Sequence, residues 1–276
     1  MMLVQSLGAP TEVQSTSTLL PRAAIARSFG SAAQHYDEHA ALQRTVADNL
    51  FARLPSTQQN STILDMGCGT GYCSQLLRKR FPQGTIVALD LALPMLQKAR
   101  QHAATVQLLC ADAASLPLQN GCLDLVVSSL TIQWCVDYAQ FFAELQRVLA
   151  PGAHALLSSF GPATLQEVRC AWARVDEHTH VNSFTTAAEL QLQAQQAGLS
   201  CTLESERLVE HHASLYTLSH ALKGIGAHNM NRTQANGLTS PRMFRRAAGF
   251  FAAGAEDAAS VPVTWEIYYL LLHKAA

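Results

Sequence analysis

The run Thr62-Ile63-Leu64-Asp65-Met66-Gly67-Cys68-Gly69-Thr70-Gly71 holds the residue types best suited to chemistry in this 276-residue chain. A short apolar stretch that reads as a strand meets an acid and three alternating glycines, and a helical pattern follows. Glycine lacks the β-carbon that blocks a tight turn or holds a ligand off the backbone, so a nucleotide-like cofactor could touch main chain here. The spacing is Gly-x-Gly-x-Gly, with Tyr72 where a dinucleotide fingerprint needs its last glycine. The acid at the strand tip is a second departure from that fingerprint. Both favour S-adenosylmethionine (SAM), which has no pyrophosphate to seat on a helix N-terminus, over NAD. An ordinary strand-to-helix turn would use the same glycines, and the segments downstream argue against it.

In an open parallel sheet, ligands bind beyond the carboxyl ends of the strands where the strand order reverses. Three acids sit at or near such ends: Asp65, Asp90 and Asp112. Asp90 closes Ile86-Val87-Ala88-Leu89, 19 residues past Gly71, where an acid is expected to meet ribose hydroxyls. A carboxylate there accepts both vicinal hydroxyl protons. Asp112 can accept from an exocyclic adenine amine. Asp65 either fixes the glycine loop or meets the cofactor's ammonium group through water. Each acid alone is equally a helix cap, but three in register with successive strands favour one shared cofactor. Leu91 and Met95 are apolar walls for an adenine slot or plain core residues. With Ala113 and Ser129 they complete the expected cofactor set, alongside Gly67, Gly69 and Gly71.

An alternation of strands and helices must position these residues. The expected strands are Ile63–Asp65, Ile86–Asp90, Val106–Ala111, Leu123–Leu130 and Ala153–Phe160. The expected helices are Tyr72–Phe81, stopped by Pro82, Leu93–Ala103, and Asp137–Leu149, ended by Pro151-Gly152. Pro21 to Leu54 reads as helical, with Ile25, Phe29, Ala33, Tyr36 and Ala40 recurring at three- and four-residue steps. After Phe160 a helical pattern runs to about Ala197, and Cys201–His211 reads as a strand. Ser214 to about Gly254 is a helical insertion before a last strand, Val263–Leu272. Strands this apolar are buried on both faces by helices covering a parallel sheet. The expected fold is α/β, a doubly wound, mostly parallel seven-stranded sheet, as one domain from residue 21 to 276 with helical caps at 21–54 and 214–254.

Composition narrows the function classes. With 49% hydrophobic and 14% charged residues the chain is globular, and its net charge of −1 gives no global signature of a nucleic-acid binder. Its seven cysteines are odd in number and form no CxxC pair, which reads as a reduced, cytoplasmic protein without disulfides or zinc. His178-x-His180 and His211-His212 have no cysteine partners at zinc-ligand spacing. No apolar run approaches the roughly 18 residues of a membrane span. The first 20 residues lack the basic start and apolar centre of a signal peptide and read as a disordered leader. The expectation is a monomer with no metal, no membrane and no nucleic-acid partner.

The glycine motif, Asp90, Cys110-Ala111-Asp112 and the strand Leu123–Leu130 resemble the core of class I SAM-dependent methyltransferases, roughly Ile63 to Phe160. More specific segments resemble the malonyl-carrier-protein O-methyltransferases of biotin synthesis. These are Ser28-Phe29-Gly30-Ser31-Ala32-Ala33-Gln34-His35-Tyr36-Asp37 with Leu42-Gln43-Arg44, then Ile132-Gln133-Trp134-Cys135, and Leu222-Lys223-Gly224-Ile225-Gly226-Ala227. The last strand also resembles the family's, with Trp265 where a tyrosine is usual. The resemblance runs from about Arg22 onward.

It implies methyl transfer from SAM to the free carboxylate of a malonyl thioester on acyl carrier protein. That nucleophile is already an anion at neutral pH, so no general base is required. Alignment and exclusion of water should carry the catalysis. Free small carboxylic acids and malonyl-coenzyme A are the alternative acceptors. A non-catalytic nucleoside-binding scaffold would not need the three acids together with Gln133-Trp134. Tyr36, Gln133 and Trp134 are the expected catalytic residues, Trp134 as a wall over the methyl group or a packing tryptophan. Gln43 and Arg44 are expected at the cofactor, Arg44 at its carboxylate or simply solvated. Lys223, Asn229 and Arg232, with His228 also at hand, are the available donors to the acceptor carboxylate. Arg242, Arg245 and Arg246 form a basic cluster that is either a docking patch for the acidic carrier or a solvated surface run.

Overall fold

The computed structural model describes residues 22–55, 58–103, 105–227, 240–254 and 260–276. The expected leader lies outside them. Three helices open the chain: α1 (Arg22–Ala32), α2 (Tyr36–His39) and α3 (Ala41–Phe51). The continuous helix expected over 21–54 is therefore broken at Ala33–His35 and at Ala40. The break at His35, at φ −113° and ψ 4°, lets α2 leave the line of α1.

Then come β1 (Thr62–Met66), α4 (Tyr72–Arg80), β2 (Thr85–Asp90), α5 (Leu93–His102), β3 (Gln107–Cys110), β4 (Leu123–Ser128), α6 (Tyr138–Val148) and β5 (Leu149–Phe160). The second half holds α7 (Gln166–Ala173), α8 (Ala187–Gln196), β6 (Leu199–His212), α9 (Leu215–Gly224), α10 (Pro241–Ala252) and β7 (Val261–Lys274). The helix expected from Phe160 to Ala197 is thus two helices. Between them Asp176 accepts from the His178 amide and the His180 ring, and such local side-chain bonds compete with helical ones. Pro151-Gly152 falls inside β5 rather than after the helix, because α6 has already ended at Val148.

The seven strands form one sheet in the order β3-β2-β1-β4-β5-β7-β6. β7 alone runs antiparallel, paired to β5 on one side and β6 on the other. From β1 the chain moves outward through β2 and β3, then crosses back to β4 and β5. The order therefore reverses between β1 and β4, the place where an open α/β sheet forms a crevice.

Alternation along the central strands divides the core between two faces. Ile63, Leu125 and Val127 pack with Leu42, Val46 and Leu50 of α3 and Leu77 of α4. Leu64, Met66 and Val126 pack on the other side with Phe141, Phe142, Leu145 and Val148 of α6. Asp137 caps α6 by accepting from the Gln140 amide. With both faces covered, the strand ends at the switch point are the accessible part of the sheet centre.

Candidate active site

A cleft of about 900 Å³, counting its open mouth, lies at that switch point. This is the size range of small-molecule sites. Gly67 and Gly69 line it, followed by Leu89, Asp90, Leu91 and Met95, then Ala111–Ala114, Ser129–Thr131 and Trp134–Asp137. Arg22, Ile25, Phe29 and Tyr36 of the first helices complete the wall.

The glycine turn is shaped by two separate constraints. Gly67 has φ +75°, and a β-carbon on it would lie 2.1 Å from the Thr131 hydroxyl, so the turn after β4 packs directly on its backbone. Gly69, at φ +54°, has nothing within 4 Å of where a β-carbon would point. Gly71 does not line the cleft; it leads into α4 at φ +93° with Ala99 3.2 Å from its would-be β-carbon. Its role is close helix packing.

The three acids divide. Asp90 lines the cleft, and its Oδ2 accepts from the Gly69 amide at 2.9 Å while Oδ1 accepts from the Ala92 amide at 2.8 Å. Each oxygen keeps a lone pair that a vicinal diol can meet. Burial pushes its carboxyl above the ordinary value, against the pull of those amide bonds. Asp112 also lines the cleft; its Oδ1 accepts from the Ala114 amide and its Oδ2 lies 2.6 Å from Nε of Arg22. Asp65 is different. It lies within β1, buried, where Ser74 Oγ donates to it at 2.5 Å, and burial pushes its pKa up to about 7. It does not line the cleft, and its bond with Ser74 ties β1 to α4.

The first helices close over the turn. Thr70 Oγ1 donates to Asp37 at 2.7 Å, tying α2 to the glycine loop, and His102 bonds the Thr70 carbonyl at 3.0 Å. Phe29 of α1 meets Trp134 edge to face, their centroids 5.2 Å apart. Burial, then the charges of Asp90 and Asp37, push the Tyr36 phenol well above its ordinary pKa, so it stays a neutral donor.

Gly224 and Gly226 explain the segment around Lys223. A β-carbon on Gly224 would meet the His39 ring at 2.0 Å, and one on Gly226, at φ +73°, the Ser28 carbonyl at 2.9 Å. Ser28 Oγ in turn donates to the Gly226 carbonyl. These glycines let the end of α9 lie against α1 and α2.

Several expected site residues lie elsewhere. Gln133 does not reach the cleft: its Nε2 donates at 2.7 Å to the carbonyl of Leu130, a residue held at φ +51°. A left-handed leucine is strained, and this bond helps hold it. Gln43 and Arg44 are on α3 and off the cleft wall; Arg44 donates to the Asp37 carbonyl at 2.9 Å and so braces α2. Lys223 ends α9 and is not a wall residue. Asn229, Arg232 and His228 lie outside the described residues. Arg242, Arg245 and Arg246 are exposed on α10.

Arg22, Phe29, Thr131 and Cys135 line the cleft and Asp37 ties α2 to the glycine turn, and sequence reasoning singled out none of them for the site. Phe29 stood in the helical repeat and in the quoted family segment, the one signal that could have marked it. Cys135 matters for the chemistry. It lines the cleft, and burial pushes its thiol up to about 12; Cys68 and Cys73 are raised by burial as well. Thiolates are the reactive form, and burial keeps these thiols protonated at neutral pH. Among the described residues, no cluster of three or more His, Cys, Asp or Glu side chains could hold a metal ion, and no helix is long and apolar enough to cross a membrane.

A switch-point cleft with a glycine turn, an acid closing β2 and an antiparallel seventh strand define a class I methyltransferase, the class that uses SAM. A family model described as a methyltransferase domain matches residues 64–157. A solved structure of a putative methyltransferase from Bacillus halodurans superposes with a TM-score of 0.61 at 16% identity, covering 84% of this chain and 100% of that one. YcgJ from Bacillus subtilis gives the same TM-score at 15% identity over 83% and 98%. These two speak to the fold alone.

Sequence relatives go further. The malonyl-[acyl-carrier protein] O-methyltransferase of Halorhodospira halophila is 36% identical over 256 residues, 91% of this chain and 87% of that protein. That of Serratia marcescens is 35% identical over 94% of this chain and 99% of its own. The biotin biosynthesis bifunctional protein BioHC of Cellvibrio japonicus is 39% identical over 95% of this chain, which spans about half, 52%, of that relative's length. The chain belongs to the malonyl-[acyl-carrier protein] O-methyltransferase family.

Proposed function

We propose that this protein methylates the free carboxylate of malonyl-acyl carrier protein, giving the methyl ester used in biotin synthesis. The observation that carries the reading is the kinship, over nine-tenths of the chain, to full-length relatives bearing that name. The cleft supports it, because its residues fit SAM. Asp90 has a free lone pair on each oxygen for a ribose diol, Leu91 and Met95 flank an apolar slot, and Asp112 stands at its end. When bound, SAM supplies the electrophilic methyl group.

The chain's own residues have a restricted task. A malonyl carboxylate, with an ordinary carboxylic pKa near 4, is ionised at neutral pH, so no side chain needs to take a proton. Ile25, Phe29, Trp134 and Val136 form the apolar part of the wall and keep water from the reacting carboxylate. Tyr36 remains a neutral hydrogen-bond donor at the cleft. Thr70, Asp37 and Arg44 hold the helix that carries Tyr36, and Gln133 holds the Leu130 turn that positions Trp134. The same reading has the protein acting as a monomer in the cytoplasm.

The test is labelled-methyl transfer from SAM to four acceptors: malonyl-carrier protein, malonyl-coenzyme A, free malonate and aconitate. Label on the carrier, removed by mild alkali as an ester, is expected. Turnover restricted to a free acid or to the coenzyme A thioester would replace this reading.

A further inference from the structure

The methyl-transfer chemistry leaves the segment from residue 213 to 254 without a role for its charges. This stretch contains five of the chain's 19 Lys and Arg and none of its 20 Asp and Glu, so the rest of the molecule carries a net charge of −6. The cations that are described stand on two packed helices. Lys223 is in the last turn of α9, and Arg242, Arg245 and Arg246 lie at i, i+3 and i+4 on α10. That spacing puts the three arginines on one helix face. All three are exposed, and none has an ion-pair partner among the described residues. Among the described residues Arg245 donates to the carbonyl of Pro241, within its own helix.

The opposite face of α10 is tied down, with Ala247 and Phe251 buried in the core. Where α9 meets α10, Tyr216 is 53% exposed, its ring 4.7 Å from that of half-buried Phe244. Exposed arginines and an exposed tyrosine on these two packed helices have the composition of a protein-binding surface, where Tyr and Arg are enriched and lysine-rich solvated faces are not. The surface also connects to the cleft. α9 runs from Leu215, next to Tyr216, to Gly224, and the turn that follows lies against Phe29 of the cleft wall. Ten helical residues span about 15 Å.

Resting on the proposed acceptor, we infer that Arg242, Arg245, Arg246 and Tyr216 form the surface on which the acidic carrier protein docks. The acidic body of the enzyme repels such a partner and this face attracts it, so the charge distribution selects the side from which the malonyl arm approaches.

The experiment is fluorescence-polarisation binding of a labelled acyl carrier protein to wild type, to R242E/R245E/R246E and to Y216A. It is run at low and at physiological salt, with circular dichroism confirming each fold. Wild type should bind with an affinity that falls steeply with salt. The triple reversal should lose about tenfold or more at low salt together with most of its salt dependence, since exposed charges act mainly on association. Y216A should weaken binding with the salt dependence retained. Where turnover is seen, the triple variant should raise KM for malonyl-carrier protein and leave methylation of malonyl-pantetheine, which lacks the carrier's acidic surface, unchanged. Binding by the triple variant equal to wild type, with the same salt dependence, overturns the inference. Because binding is read directly, that outcome is distinct from absence of methyl transfer, which would instead overturn the acceptor assignment.

Discussion

Replacing Asp90 by asparagine asks whether its carboxylate has the role that its position suggests. The side chain keeps its volume but loses one acceptor oxygen and its charge. In the wild type each oxygen already accepts one backbone amide, from Gly69 and from Ala92. The amide group of Asn must therefore face one of those donors and also cease to accept from a ribose hydroxyl. Hydrogen bonds to charged groups are worth about 1.5–3 kcal/mol each. Losing one bond to the diol, and the charge assistance of the other, amounts to roughly 2–4 kcal/mol, or about 30- to 700-fold in affinity. Folding should suffer less, because burial already disfavours the charged carboxyl and a neutral amide escapes that cost. The assay is isothermal titration with S-adenosylhomocysteine, alongside thermal unfolding, at several pH values. Wild-type affinity should fall on acidification, since a carboxyl whose pKa is raised by burial takes up a proton earlier and then no longer accepts from both hydroxyls. The Asn variant should lose that dependence. A Kd within about threefold of wild type would refute the reasoning.

Two further perturbations test the closure and the scaffold. Gly226→Ala places a β-carbon 2.9 Å from the Ser28 backbone carbonyl at φ +73°, whereas Gly224→Ala meets only the His39 ring, a side chain that can swing away. Denaturant unfolding with limited proteolysis of α1 should show a loss of at least about 1–2 kcal/mol for G226A and a smaller one for G224A; the reverse order would contradict the packing. For Asp65, burial raises the folded pKa to about 7 from 3.8, so between those values the folded state binds more protons and stability from this group falls as pH rises. Asp65→Asn keeps an acceptor for Ser74, and its Tm relative to wild type should increase from pH 5 to pH 8. A difference independent of pH would show that the carboxyl is not strained by burial.

The strand, glycine turn and closing acid of β2 were legible in the sequence because their chemistry is local. A turn needing positive φ selects glycine, and a doubly buried strand selects an apolar run. The fates of Asp65 and Asp90 were not separable that way. Both read as acids at strand tips, but Asp65 sits one residue inside β1, paired to Ala88 and Val127, whereas Asp90 is the last residue of β2. Only the register of the neighbouring strands shows which one meets the cleft.

The position of Gln133 was not legible for a similar reason. No periodic pattern reveals that Leu130 adopts a left-handed conformation and draws the glutamine side chain to its carbonyl. The closure of α1 and α2 depends on contacts far apart in the chain, Thr70 with Asp37 and Ser28 with Gly226, the latter pair 198 residues apart. Helical periodicity in the first 50 residues shows that an apolar face exists and is silent on what it covers. The Gly224-Ile225-Gly226 segment drew attention to its neighbouring lysine, while the structure gives the reason for the glycines.

The most direct measurement is a crystal structure of the protein with S-adenosylhomocysteine bound. The account predicts the ribose hydroxyls on Asp90, the adenine between Leu91 and Met95 with its amine at Asp112, and the sulfur facing Tyr36 and Trp134. A cofactor bound away from Asp90, or a cleft left empty with Arg22 still on Asp112, would contradict it.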